Sequence, residues 1–309
     1  MRTRPVCEYL KPGNSKPCRF YIKTGLCNRA GMFRCTEYIS RFEPTLSYSG
    51  VNHFLRCPRQ YYLSNIKGLQ LDEKYQSYAL KIGKHVDGAL TVSPEIEIAE
   101  KYRNELWATK AQAILAAFNN LFHELLVGYT GQKEFFYQKE GHLQVHGFID
   151  LEATDHFVEL KCTSRPEFYT NPYWIHDQMG TYFLSNLNYQ YGIVWAVRVP
   201  QLKQSGNFRD ESLDDYKDRC VRDMLKRPAY YFSGYNKDKK SFGVKFYRSE
   251  FDMDAIKKRY KWIAGQIRKC VQADYWYQNR TQCLYPFKCD YLNICETGGI
   301  SEDLYTYRY

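Results

Sequence analysis

An α/β fold is predicted by three features met along the chain: amphipathic helical segments after residue 44, a run of period-two segments, and then a helix followed by an apolar strand. Ser47-Tyr48-Ser49-Gly50 supplies N-cap chemistry for a first helix, which carries Val51, Phe54 and Leu55 on to Tyr61 and Tyr62. A second helix spans Tyr78 to Leu90. A third runs from Glu97 to Val127, where Ile98, Leu106, Trp107, Ile114, Leu115, Phe118, Leu121, Phe122 and Leu125 recur at helical spacing. The pattern then switches, and Glu134–Gln138, Leu143–Leu151 and Phe157–Lys161 read as successive strands, the last two joined by the turn Ala153-Thr154-Asp155-His156. Trp174–Asn186 reads as a helix and Gly192–Val197 as a buried strand. Residues 201–250 are polar and mixed, with a basic turn at Lys237–Lys240. Phe251–Tyr275 closes the chain's regular structure as a helix bearing Lys257, Lys258, Arg259 and Lys261. There is no internal repeat.

At 309 residues the chain is long enough to bury a sizeable core without disulfide staples. Lys and Arg number 44 against 34 Asp and Glu, a net charge of +10 that suits a polyanionic partner and equally suits a merely soluble basic protein. Aromatic residues make up 17%, led by 29 tyrosines, which serve base stacking as well as core packing. With 25% charged residues, membrane and low-complexity classes are excluded, and the longest uncharged run, Gln178 to Val197, is broken by Gln, Asn, Ser and Thr. The opening Met-Arg-Thr-Arg-Pro-Val-Cys lacks the apolar stretch of a signal peptide, so a reducing cytoplasm, or a host-cell cytoplasm for a viral protein, is the expected compartment.

In such a compartment the eleven cysteines read as metal ligands before disulfides. Cys7, Cys18, Cys27 and Cys35 crowd residues 1–43, a segment of turn signals (Pro12-Gly13-Asn14-Ser15, Gly25) with too little apolar content to fold alone. It is therefore expected to be a small metal-binding appendage to a domain at 44–309. Zn²⁺ on four sulfurs is the simplest site there, with a second iron–sulfur cluster the other choice. Cys18 to Cys27 is similar to the opening of a CCCH zinc finger, but no histidine follows at the required distance. Arg19, Lys23, Arg29 and Arg34 beside Phe20, Tyr21 and Phe33 fit either a single-strand-binding surface or a purely structural lid. Cys57 stands alone near the start of the main domain and Cys283, Cys289 and Cys295 cluster near its end, while the isolated Cys162, Cys220 and Cys270 read as buried structural thiols.

The strands carry the candidate chemistry. On the Leu143–Leu151 strand, Gln144, His146, Phe148 and Asp150 share a face opposite Val145, Ile149 and Leu151. On the next strand Glu159 and Lys161 oppose Val158 and Leu160. If these strands pair, Asp150, Glu159 and Lys161 converge. Two carboxylates can hold Mg²⁺ or Mn²⁺ through hard oxygens, and a lysine beside them can orient the attacking water or neutralise charge in a phosphodiester hydrolase. The alternative is a surface strand with a Glu–Lys pair. His85, in Gly83-Lys84-His85 on the second helix, is a candidate further ligand, and Gln178 and Tyr182 fall on one face of the Trp174–Asn186 helix.

Taken in order, these residues resemble the RecB-like branch of the PD-(D/E)XK nuclease superfamily. The matching pieces are Ser47-Tyr48-Ser49 with Cys57-Pro58-Arg59-Gln60-Tyr61-Tyr62, Gly83-x-His85, Gly147-Phe148-Ile149-Asp150, Val158-Glu159-Leu160-Lys161 and Gln178-x3-Tyr182, across residues 46–296. The resemblance implies a restriction-endonuclease-like mixed sheet flanked by helices. It implies metal on His85, Asp150, Glu159 and the Leu160 carbonyl, Lys161 assisting the water, and Gln178 with Tyr182 positioning the substrate strand. Glu134 would be an extra acidic helper. Iron–sulfur members of this branch, such as the AddB nuclease domain and CRISPR-adaptation nucleases, place one cysteine before the core and three after it, as Cys57, Cys283, Cys289 and Cys295 stand here. A [4Fe–4S] cluster is thereby implied. The Cys283-x5-Cys289 gap is longer than the family's two residues, which leaves zinc or a different local loop open.

The function expected from this resemblance is a Mg²⁺- or Mn²⁺-dependent deoxyribonuclease, an exonuclease on single-stranded or frayed DNA ends in recombination, repair or CRISPR adaptation. No Gly-x4-Gly-Lys-Ser/Thr occurs, so unwinding would come from a helicase or CRISPR-adaptation partner. A structure- or sequence-specific endonuclease shares the same motif, and a non-catalytic nucleic-acid-binding module is the rival from another class.

Overall fold

A computed structural model describes residues 43–92, 102, 104–139, 143–204, 211–284 and 288–307. Cys7, Cys18, Cys27 and Cys35 lie outside the described residues, as does the opening of the predicted third helix at 97–101. The elements are, in order, β1 (Thr45–Leu46), α1 (Tyr48–Arg56), α2 (Pro58–Tyr61), β2 (Leu69–Leu71), α3 (Tyr78–Thr91) and α4 (Leu106–Phe122). Then come β3 (Thr130–Lys139), β4 (Leu143–Glu152), β5 (His156–Thr163), α5 (Pro172–Ser185) and β6 (Tyr191–Arg198). The last are α6 (Leu213–Lys226), α7 (Pro228–Tyr231), β7 (Val244–Tyr247), α8 (Met253–Ala273), α9 (Leu292–Thr297) and β8 (Tyr305–Tyr307). They form two compact units, one drawn from residues up to 75, around 138–145 and from 257 onward, the other from 76–137 and 146–256. Among the described residues no helix is long and apolar enough to cross a membrane.

The second unit holds a mixed sheet with helices on both faces. β3 pairs with β4, β4 runs antiparallel to β5, β5 and β6 are parallel from His156–Tyr191 to Thr163–Arg198, and β7 runs antiparallel to β6. On one face α3 and α4 bury Ile82, Val86, Leu90, Ile114, Phe118 and Phe122 against Val158, Leu160, Trp195 and Val197. On the other, α5 lies so close that a Cβ on Gly192 would stand 2.5 Å from Met179 Cε and from the Phe157 ring, and glycine is what permits that approach.

The first unit packs Leu63, Leu69, Tyr291, Ile294 and Tyr305 around the antiparallel pair β2–β8. It also holds β1, paired in parallel with Gln144 and Val145 at the start of β4. Ser47 caps α1 as the sequence suggests, its hydroxyl accepting from Gly50 N at 3.1 Å. The single helix predicted on to Tyr62 breaks at Cys57, which is extended (φ −161°) because Pro58 takes the first position of a new helix, where its missing N–H costs nothing. α4 stops at Phe122 and tightens into a 3₁₀ turn over His123–Leu126, short of the predicted Val127. α6 and β7 emerge from the stretch that looked merely polar. Among the fourteen residues of α6, Tyr216, Cys220 and Met224 are buried, and charge on the remaining faces hides the stripe.

Candidate active site

Leu151–Val158 and Glu152–Phe157 are the paired positions of the β4–β5 ladder. One residue past them, Asp150 Oδ2 accepts from Leu160 N at 2.7 Å, so a carboxylate takes the place of a ladder partner. Across from it stands Glu159, 2% exposed. Glu159 Oε1 accepts from the Lys161 ammonium and, at 2.6 Å, from Gln178 Nε2, while Oε2 accepts from the Tyr182 hydroxyl at 2.7 Å. Gln178 Nε2 also donates to Tyr182 Oη at 3.0 Å, which closes the network. The period-two reading of the strands thus places Asp150, Glu159 and Lys161 together. The two α5 residues expected to position substrate are buried here and spend their hydrogen bonds on Glu159.

A further carboxylate enters from α3. Asp87 Oδ2 accepts from Gln132 Nε2 at 3.2 Å, and the same amide nitrogen donates to Thr91 Oγ1 at 3.0 Å. Gln132 holds this position with a left-handed backbone (φ 48°), an uncommon conformation for a non-glycine residue at the start of β3. Asp87 Oδ1 is buried and has no hydrogen-bond partner among the described residues. Burial, and then the charge of Glu159, push the Asp87 carboxyl up to about 6. The same two causes, with Asp87 added, lift Asp150 well above the ordinary aspartate range. Burial works to lower Lys161, but Glu159 and Asp150 outweigh it and hold the ammonium above its usual range, so this lysine stays charged. Burial and Glu159 likewise keep the Tyr182 phenol protonated.

His85 lies on the same helix. It sits two residues before Asp87, about 200° away around the helix, and its imidazole is lowered by burial. Glu134 turns to His146 Nε2 at 2.8 Å on an exposed stretch of β3 and β4. Asp87 was the residue that sequence reasoning missed. Its signal is an acidic side chain at the edge of α3's apolar stripe, within one turn of the buried Leu90 and Thr91.

In the other unit, the four cysteines of the second group lie near one another. Cys57 is buried where α1 ends, and its sulfur accepts from Asn279 N at 3.3 Å. Cys289 N donates to Cys283 O at 2.8 Å. Burial raises the thiols of Cys289 and Cys295; Cys57 acts electrostatically on both and Cys283 on Cys295, opposed by Arg56 near Cys289 and Arg59 near Cys295. All are free thiols, and as the side chains are placed, no three His, Cys, Asp or Glu among the described residues converge as the ligands of one ion. Of the isolated cysteines, Cys220 is buried and Cys162 and Cys270 are partly so; burial pushes the Cys162 thiol up to about 12, which makes it inert.

No family model matches the chain, and no curated protein does. Among solved structures it is similar to a chain from Eubacterium rectale described as a "putative exonuclease", at 16% identity and a TM-score of 0.41, covering 71% of this chain and 91% of that one. A likeness that slight transfers nothing about activity, and the reading of the site rests on its own geometry.

Proposed function

We propose that the chain is a divalent-metal-dependent nuclease that hydrolyses phosphodiester bonds in DNA. The observation that carries this reading is the charge coupling of Asp87 and Asp150 to Glu159, with Asp87 Oδ1 buried and lacking a partner among the described residues. As placed, the three carboxylates do not converge on one ion, and a bound cation would draw them together. Hard carboxylate oxygens are the donor set that Mg²⁺ and Mn²⁺ take, with the Leu160 carbonyl a further oxygen. When bound there, such a cation polarises a scissile phosphate and acidifies a water. In this reading Asp87, whose carboxyl feels the charge of Glu159, joins the set beside His85, the ligand that the family resemblance implies.

The chain's own residues divide the remaining work. Lys161, locked in its ammonium form, cannot accept a proton; it orients the attacking water and offsets charge developing on the phosphate. Gln178 and Tyr182 fix the Glu159 carboxylate so that it is presented in one orientation. A net charge of +10 supports a nucleic-acid substrate, single-stranded or frayed at its ends. In the same proposal Cys57, Cys283, Cys289 and Cys295 carry a [4Fe–4S] cluster, the gathering of the four thiols in one unit with Arg56 and Arg59 beside them being its support. The N-terminal Cys7, Cys18, Cys27 and Cys35 carry zinc.

The test is incubation of the purified chain with end-labelled single- and double-stranded DNA in Mg²⁺, Mn²⁺ or EDTA. Cleavage is expected with either cation and none in chelator. Undiminished cleavage in EDTA removes the metal-dependent reading; no cleavage of either substrate with any cation removes the nuclease.

A further inference from the structure

The unit that holds the carboxylates also contains a separate cavity of about 190 Å³. Ser164 and Val199, which follow the parallel strands β5 and β6 directly, form one wall. The facing walls are the first turns of two helices: Tyr78, Ala79 and Ile82 of α3, and Leu106, Trp107 and Lys110 of α4. Each set is an i, i+1, i+4 row, so both helices begin at this end and turn one face of their opening turn to the cavity. A crevice at the carboxyl ends of parallel strands, closed by helix N-termini, is where open α/β sheets receive ligands, and the exposed N–H groups and helix dipoles there favour anions.

The α4 end is poorly satisfied by the protein itself. Glu105 at its N-cap makes no side-chain capping bond, and no acidic residue lies in the first turn of α3 or of α4. An open helix end alone would specify nothing. Trp107 adds an independent observation: it is 4% exposed, lines the cavity, and its indole N–H has no acceptor among the described residues. An indole nitrogen can only donate, so a buried one without a partner calls for an acceptor that the described residues do not supply. Lys110 stands three residues further along α4, half-buried and lowered by that burial, with no carboxylate paired to it among the described residues. Among the described residues no acidic side chain lines the cavity. Ile82, Leu106 and Val199 make an apolar stretch of the lining with the Tyr78 ring exposed beside it, and Gln201, whose amide donates to Val199 O at 2.8 Å, completes the lining.

We propose that this cavity binds a phosphate monoester carried on an aromatic body, of the nucleoside monophosphate class, with Trp107 Nε1–H and Lys110 Nζ on the phosphate and the apolar wall with Tyr78 under the base. Two donors, one of them cationic, match phosphate oxygens, and an apolar wall ending in a phenol ring matches a base. The site stands whether or not the chain is a nuclease, although a nucleotide is also what hydrolysis of DNA ends releases.

The experiment follows the ¹⁵N-labelled indole resonances of the full-length chain in metal-free buffer, with Trp107→Phe used to identify the Trp107 signal. Thymidine 5′-monophosphate, inorganic phosphate and thymidine are titrated separately. The monophosphate should shift the Trp107 indole resonance saturably, inorganic phosphate should shift it at higher concentration, and thymidine should leave it in place. Lys110→Gln should weaken the monophosphate about tenfold or more, the loss of one charge-assisted bond. An unmoved Trp107 resonance overturns the proposal, as does thymidine binding as well as its monophosphate or a Lys110→Gln variant of unchanged affinity. The titration itself is made on the wild-type chain, and there a variant serves only to assign the Trp107 signal. DNA cleavage measured on the same preparation reports separately on the nuclease reading, so either can fail while the other stands.

Discussion

Replacing Asp87 by asparagine should stabilise the metal-free protein and inactivate it at the same time. The carboxyl titrates at about 6 in the folded chain against an ordinary 3.8, raised by burial and by Glu159. A raised carboxyl pKa favours the folded state fully below pH 3.8, and that contribution is lost as pH rises through about 6. At pH 8 the ionised group therefore weighs against folding. A little over two pKa units corresponds to about 3 kcal/mol, which solvent screening of a partly exposed group reduces to roughly 1–2 kcal/mol. Asparagine has nearly the same shape, and its carbonyl can still accept from Gln132. Thermal unfolding in EDTA at pH 8 should show Asp87→Asn melting a few degrees above wild type. At pH 5, where the folded Asp87 is mostly protonated but the unfolded one is not, about half of the difference should remain, and it should vanish only below about pH 3.8. Added Mn²⁺ should raise the wild-type midpoint more than the variant's, and the variant should not cleave DNA. A variant less stable than wild type at pH 8, or equally stabilised at pH 5 and pH 8, would refute the electrostatic reasoning.

Three other outcomes are expected. Asp150→Ala and Lys161→Ala should each abolish cleavage while single-strand affinity, measured by anisotropy, stays within a few-fold, because binding is spread over many phosphate contacts; wild-type rates in either variant end the active-site assignment. Tyr182→Phe, which removes the donor to Glu159 Oε2 but keeps the ring packed on Phe157, should cost about 1–3 kcal/mol of stability and lower kcat with little change in KM; an unchanged kcat would show that Glu159 is oriented without it. Anaerobically purified protein should be brown with about four irons and one zinc per chain, bleached by Cys57→Ser or Cys289→Ser but not by Cys18→Ser. A colourless preparation with two zincs removes the cluster and leaves the carboxylates untouched.

Legibility in the sequence follows how local each determinant is. The faces of β4 and β5 were readable because a period of two fixes them, and the single fact that Asp150 and Glu159 oppose each other followed once the strands were assumed to pair. Ser47 as a cap was readable for the same reason, since it acts within its own turn. α6 was not, because three buried residues in fourteen give too weak a stripe against so many charges. Cys57 was legible as a ligand candidate yet not as a helix break, although Pro58 beside it carried that information. The roles of Gln178 and Tyr182 could not be read at all: spacing put them on one face of α5, but whether that face meets substrate or Glu159 depends on how the helix lies on the sheet.

Asp87 shows why the site was only partly visible. The sequence offered His85 and Asp87 on one helix, and the residue type richer in metal chemistry drew attention first. Which of the two faces Glu159 depends on α3's rotation against the sheet, where Ile82, Val86 and Leu90 share a core with Val158 and Leu160. With Asp87 in place, three carboxylates stand against the one ammonium of Lys161, so full ionisation leaves two negative charges unopposed. Burial first, and this deficit second, raise the titration of Asp87 and Asp150, so that each takes up a proton, the cation that water can always supply. Two unopposed charges on oxygen donors equal the charge of one Mg²⁺ or Mn²⁺, and such an ion would displace those protons as it bound. Metal affinity should therefore fall steeply as pH drops below about 6, where Asp87 takes up its proton, and this dependence should flatten in Asp87→Asn.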